Sequence, residues 1–205
     1  MSLNVITVPV DGDQPPTGLM VALHGWGANA LDLASLVPML DLPSYEFIFP
    51  DAPFTHPQVP GGKMWYDFQG NQGLAESRKL LLEWLLSLES STGIPLSRTI
   101  LSGFSQGGAM TLEVGLSLPL AGLISLSGYL HPMTQTMPAT LPPVLIVHGR
   151  QDAVVPVAAA QKARDSLQGL GAAVQYQELD MGHEIRPEVL PLMERFVVNA
   201  MAQQD

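Results

Sequence analysis

Residues 144–147 read Val-Leu-Ile-Val and run directly into His148 and Gly149. Four branched apolar residues in a row leave no polar side for water. Such a strand is buried on both faces, as in a parallel sheet covered by helices on each side. Similar strand patterns recur at 4–8, 19–24, 45–49, 98–103, 120–127 and 173–179. Between them, helical spacing is expected over 31–40, 74–88, 106–118, 157–170 and 188–201. In 74–88 the residues Leu80, Leu81, Trp84, Leu85 and Leu88 share one face. Strands that alternate with helices predict an α/β fold with a mostly parallel sheet.

Residues 1–205 read as a single domain, with no repeat, linker or block of charge. The stretch DGDQPPTG, residues 11–18, is a turn between the first two strands. Residues 51–73 are rich in Pro and Gly and have no period, so a long surface loop carrying aromatics is expected there.

Composition narrows the class of function. Apolar residues make up 46% and charged ones 14%, which suits a packed core. The net charge of -10 disfavours nucleic acid, anionic membranes and polyanionic substrates as partners. With no cysteine there is no disulfide, no thiolate nucleophile and no Cys-bound metal. Residues 1–14 lack the basic and apolar regions of a signal peptide, and no apolar run reaches membrane-spanning length. The expectation is a cytoplasmic chain without integral membrane association.

In sheets of this kind, ligands bind beyond the carboxyl ends of the strands. The polar residues that follow strands are therefore the ones to weigh. Gly103-Phe104-Ser105-Gln106-Gly107 follows a strand and opens a helix. Gly-x-Ser-x-Gly in that setting is a nucleophile elbow: the glycines clear space for a strained turn that exposes the serine. Gly108 and Ala109 let the helix approach the sheet. By itself the pattern also arises by chance in a glycine-rich chain. Its place between a strand and a helix is what singles out Ser105.

A serine nucleophile needs a base. The histidines are His24, His56, His131, His148 and His183. On this fold the chain order is serine, acid, histidine, which favours His183, in a loop after the last strand. Asp152, just beyond the Val-Leu-Ile-Val strand, is the acid that would orient the imidazole. Its alternative role is to cap the helix near Pro156. Asp180 is the second candidate acid, nearly adjacent to His183 in sequence.

A tetrahedral oxyanion wants two preorganised N–H donors. Gln106, the residue after the serine, offers one. The turn His24-Gly25-Trp26-Gly27 offers the other, at Trp26; the alternative is an ordinary glycine turn. Phe54, Met64, Trp65 and Tyr66 form an aromatic-rich set in the long loop. They are expected either to line an apolar substrate pocket or to fold down as a satellite core.

With these pieces assembled, the chain resembles the carboxylesterase/acyl-protein thioesterase family of α/β-hydrolases, also called phospholipase/carboxylesterase. The similarity runs from about Leu19 to Arg195. It is carried by LHGWGAN, PDAPFT with GGKMWYDF, GFSQGGAM, HGRQDAVVP and GHEI. The resemblance implies a compact α/β-hydrolase fold without a large lid and a triad of Ser105, Asp152 and His183. It also implies oxyanion donors at Trp26 and Gln106, and no cofactor or metal. The implied substrate is a small-molecule carboxylic ester or thioester; the oligomeric state is left open between monomer and homodimer. The family's common Trp-Phe-Asp reads Trp65-Tyr66-Asp67 here, which adds a hydroxyl near the acyl groove. Within enzymes, a lactone or peptide hydrolase on the same triad is the alternative. Outside them, it is a non-catalytic ligand-binding module on a hydrolase fold.

Overall fold

Alternation of side-chain direction along strands buried on both faces sets the architecture. In residues 19–23 and 144–147, consecutive side chains divide between two separate apolar clusters. Leu19, Val21, Leu23, Val144 and Ile146 enter one; Met20, Ala22, Leu145 and Val147 enter the other. Successive strand side chains point to opposite faces, so both faces of the sheet are covered.

The protein is described by a computed structural model over residues 3–10, 14–133 and 138–202. Asp11, Gly12 and Asp13 of the turn-rich stretch lie outside these. The strands are β1 (Val5–Val8), β2 (Gly18–Leu23), β3 (Tyr45–Pro50), β4 (Phe54–Thr55), β5 (Lys63–Met64), β6 (Thr99–Phe104), β7 (Gly122–Leu126), β8 (Val144–Gly149) and β9 (Val174–Leu179). Among the described residues, seven of them form the central sheet in the order β1-β3-β2-β6-β7-β8-β9. Only β1 pairs antiparallel within it, on β3.

The helices are α1 (Ala30–Ala34), α2 (Leu74–Thr92), α3 (Gln106–Gly115), α4 (Val157–Gly169) and α5 (Leu190–Ala202). Helices α2, α3 and α4 pack through Leu81, Leu85, Met110, Leu112, Ala163 and Leu167 on one face. On the other, α1 and α5 pack through Ala30, Phe196, Val197 and Ala200. Each fully buried Leu or Phe contributes about 1.5–3 kcal/mol. This is the expected mostly parallel sheet with helices on both faces.

Three expectations are adjusted. The helix over 31–40 is instead α1 followed by a short 3-10 turn at Val37–Met39. Pro38 has no N–H to continue an α-helix, and α1 is set by Asn29, whose side chain accepts from the Leu31 N–H while Asp32 reaches back to the Asn29 N–H. The last helix starts later than expected, after a 3-10 turn at Pro187–Val189. The loop over 51–73 is not structureless: β4 and β5 form a small antiparallel pair within it.

The strand order places the site. From β2 the chain steps to β3 on one side, and then to β6 on the other. This reversal opens a crevice beyond the carboxyl ends of β2 and β6. Leu23 and Gly103 are register partners, so His24 and Phe104 stand at the same level at the carboxyl ends of β2 and β6.

Candidate active site

Ser105 stands between β6 and α3 with φ 55° and ψ -117°. A non-glycine residue rarely adopts this strained backbone unless its surroundings impose it. The surroundings are backbone. A β-carbon at Gly103 would lie 2.3 Å from the Gly107 carbonyl, and one at Gly107 would lie 2.1 Å from the Leu23 oxygen. The Ser105 N–H is held by the Leu126 carbonyl at 2.8 Å. The glycines thus allow β2, β6 and α3 to close around one turn. No side chain caps the start of α3, so its first N–H groups and positive dipole end face the serine.

His183 Nε2 lies 2.9 Å from Ser105 Oγ, and His183 Nδ1 lies 2.7 Å from Asp152 Oδ2. The ionised carboxylate can only accept, so the imidazole proton sits on Nδ1 and Nε2 accepts from the serine hydroxyl. Asp152 is also bonded at Oδ1 by the N–H groups of Val154, at 2.9 Å, and Val155, at 2.8 Å. Burial by itself raises the Asp152 pKa. The hydrogen bond from His183 and those from Val155 and Val154 outweigh it and hold the carboxyl below its ordinary range. Two loops must meet for this, and Gly149 allows it: a β-carbon there would lie 2.3 Å from the Met181 carbonyl oxygen. Asp180 points away. Its exposed carboxylate pairs with Arg150 Nη1 at 2.6 Å.

The other histidines have structural partners. His24 is fully buried; its Nε2 accepts from the Ala52 N–H at 3.0 Å, so Nδ1 carries the proton and donates to the Gly25 carbonyl at 2.8 Å. Burial disfavours the charged ring and lowers its pKa, although the hydrogen bond to the Gly25 carbonyl opposes the shift. His56 Nδ1 accepts from the Gln58 and Val59 N–H groups, and its ring stacks edge-on against Trp26 with centroids 4.1 Å apart. His148 Nε2 donates to the Val155 carbonyl at 2.8 Å and supports the Asp152 turn from behind. His131 belongs to a separate polar chain described below.

The turn at Trp26 is fastened to the long loop. The Gly27 N–H donates to the Lys63 carbonyl and the Lys63 N–H to that of Ala28, both at 2.8 Å. Among the described residues, neither the Trp26 nor the Gln106 N–H has an acceptor. No three His, Asp, Glu or Cys side chains among the described residues come together in a way that could hold a metal ion.

A cleft of about 990 Å³ opens beside Ser105 and His183. Trp26, Phe68, Tyr129, Met133, Val154 and Pro156 form much of its wall. The expected pocket residues are elsewhere. Trp65 and Tyr66 are fully buried, and Phe54 and Met64 are half-buried in the small hairpin; none of the four lines the cleft. Large aromatic rings with one polar tip bury well where that tip finds a partner. Trp65 Nε1 donates to the His24 carbonyl at 3.0 Å. The Trp65 N–H donates to Gln106 Oε1 at 2.9 Å, and Gln106 Nε2 donates to the Tyr66 carbonyl at 2.8 Å. This pair therefore anchors the elbow from inside. Sequence reasoning missed Tyr129 and Met133. The rule about residues beyond strand ends, applied to β7, would have found Tyr129.

Residues 5–200 match the family described as Phospholipase/Carboxylesterase. The chain is 30% identical to acyl-protein thioesterase 1 of Gibberella zeae, over 88% of this chain and 89% of that protein. It is 31% identical to acyl-protein thioesterase 1 of Neurospora crassa, over 90% and 87%. Among solved structures it is similar to esterase PE8, with a TM-score of 0.86 and 29% identity over 98% of this chain and 100% of that one. It is also similar to a phospholipase/carboxylesterase from Dyadobacter fermentans, with a TM-score of 0.78 and 27% identity over 96% and 97%. Together with the parallel sheet and the serine elbow, these matches show that the chain is a hydrolase enzyme belonging to the phospholipase/carboxylesterase family of α/β-hydrolases.

Proposed function

We propose that this hydrolase cleaves carboxylic esters, and thioesters of the same acyl groups, through a serine-bound acyl intermediate. The observation that carries the reading is the continuous line from Ser105 Oγ through His183 to Asp152, at 2.9 and 2.7 Å. Ser105 Oγ attacks the substrate carbonyl as His183 Nε2 takes its proton. Asp152 holds the resulting imidazolium. The N–H groups of Trp26 and Gln106 receive the oxyanion. His183 then passes the proton to the departing alcohol or thiol, and water repeats the sequence on the acyl-serine to release the acid. The names of the curated relatives support the thioester part. The cleft wall is largely apolar, which suits an acyl chain, so kcat/KM should rise with chain length by up to about 0.8 kcal/mol of binding per buried methylene. A cytoplasmic monomer or homodimer remains part of the proposal.

The deciding experiment is labelling with a fluorophosphonate, followed by mass spectrometry of the elbow peptide. A covalent adduct on Ser105 that forms in the wild type and is absent in His183→Gln supports the mechanism. An unlabelled protein that still binds acyl esters would make it a binding module.

A further inference from the structure

A second line of polar side chains reaches the cleft and takes no part in the triad. Arg78 Nη1 lies 3.5 Å from Glu113 Oε1, and Glu113 Oε2 lies 3.2 Å from His131 Nδ1. His131 Nε2 lies 3.0 Å from the Tyr66 hydroxyl, which is hydrogen-bonded to the hydroxyl of Tyr129. Tyr66 is fully buried, whereas Tyr129 and His131 line the same cleft as Ser105. The contact with His131 is the largest cause holding the Glu113 carboxyl below its ordinary range; Arg78 adds to it and burial opposes it.

The charge at one end orients every proton along the line. With the Glu113 carboxylate beside Nδ1, a neutral His131 ring keeps its proton on that nitrogen, because the other tautomer sets a lone pair against the carboxylate. Nε2 then accepts, so the Tyr66 O–H donates to it. The Tyr66 oxygen in turn accepts, so the Tyr129 O–H donates inward. With its proton committed, the Tyr129 hydroxyl keeps only lone pairs for any further partner.

We propose that Tyr129 is a specificity-determining hydrogen-bond acceptor, selecting ester substrates that carry an O–H donor over matched alkyl or ether compounds. Tyr66, His131 and Glu113 are positioning residues that act through it. This deepens the esterase reading and rests on it. It also gives the tyrosine of Trp65-Tyr66-Asp67 a task that phenylalanine, common in that motif, lacks.

The test measures kcat/KM for nitrophenyl octanoates bearing a hydroxyl at successive chain positions. Each is compared with its methyl-branched and its methoxy counterpart, and a parallel set carries the same groups on the alcohol side. One neutral hydrogen bond predicts a preference for hydroxyl over both counterparts of about three- to tenfold at one position. Tyr129→Phe should collapse both ratios to about one, whatever its absolute rate. Tyr66→Phe frees the Tyr129 proton to turn outward and donate. It should therefore erase the hydroxyl-over-methoxy preference while keeping that over methyl, a split that loss of packing alone does not produce. A wild type that hydrolyses the series with no ratio above about twofold overturns the proposal and leaves the esterase reading intact. So do wild-type ratios in either variant. A wild type that hydrolyses no ester overturns both.

Discussion

Gly107 sits so close beneath the end of β2 that a β-carbon on it would lie 2.1 Å from the carbonyl oxygen of Leu23. Backbone cannot yield as a flexible side chain can. Gly107→Ala should therefore push α3 off the strand, costing ~1–3 kcal/mol or more. Thermal unfolding should show a lowered Tm, with fluorophosphonate labelling slowed even where the chain remains folded. An unchanged Tm and labelling rate would mean the elbow has more slack than this contact allows.

Ser105→Ala should fold and lose several powers of ten in kcat, leaving a small residue of activity from the oxyanion donors. The purified variant is assayed on nitrophenyl acetate beside the wild type. Retention of a tenth of the activity would move the nucleophile elsewhere.

Asp152 and Asp180 are separated by their partners: Asp152 bonds His183, and Asp180 pairs with Arg150 at the surface. Asp152→Asn should lower kcat by about 10⁴, because an amide does not hold the required tautomer. Asp180→Asn should stay within about twofold, since an exposed ion pair contributes little. The reverse order of damage would exchange the two roles.

Trp26→Ala keeps a backbone N–H, so its loss should be confined to the cleft wall and the contact with His56, about 1–2 kcal/mol in kcat/KM. Trp26→Pro removes the donor as well and should cost more, by about 10²-fold or more in kcat. Equal effects would point to a different second donor.

Stability should fall in two stages as pH drops. The folded pKa of His24 lies below its ordinary 6.5, so the unfolded chain takes up that proton first. Its contribution is lost as pH falls from about 6.5 towards the lowered folded value. Asp152 and Glu113 are depressed in the folded state from ordinary values of 3.8 and 4.5. Their contribution is full above those values and disappears as pH falls through the folded ones. Urea unfolding across this range should show His24→Gln flattening the upper stage and leaving the lower one. An unaltered upper slope would assign it to another group.

Much of this enzyme is legible along the chain because the physics is local. Doubly buried strands announce a parallel sheet through unbroken apolar runs such as Val144–Val147. A turn that needs glycine on both sides of Ser105 leaves its mark within five residues. Chain order points to His183 and Asp152 as candidates, and folding brings His183 within hydrogen-bond reach of both Ser105 and Asp152. Beyond Trp26 and the strand-end position of Tyr129, the cleft wall as an assembly was not legible. Phe68, Tyr129 and Val154 come from three separate loops and become neighbours only through the strand order. Residues 51–73 carry no period, so nothing local says which aromatic faces inward. Trp65 and Tyr66 went to the core because Gln106, His24 and His131 supply partners for their polar atoms there. Those partners lie about 40 to 65 residues away in sequence, and only the tertiary structure decides that they meet.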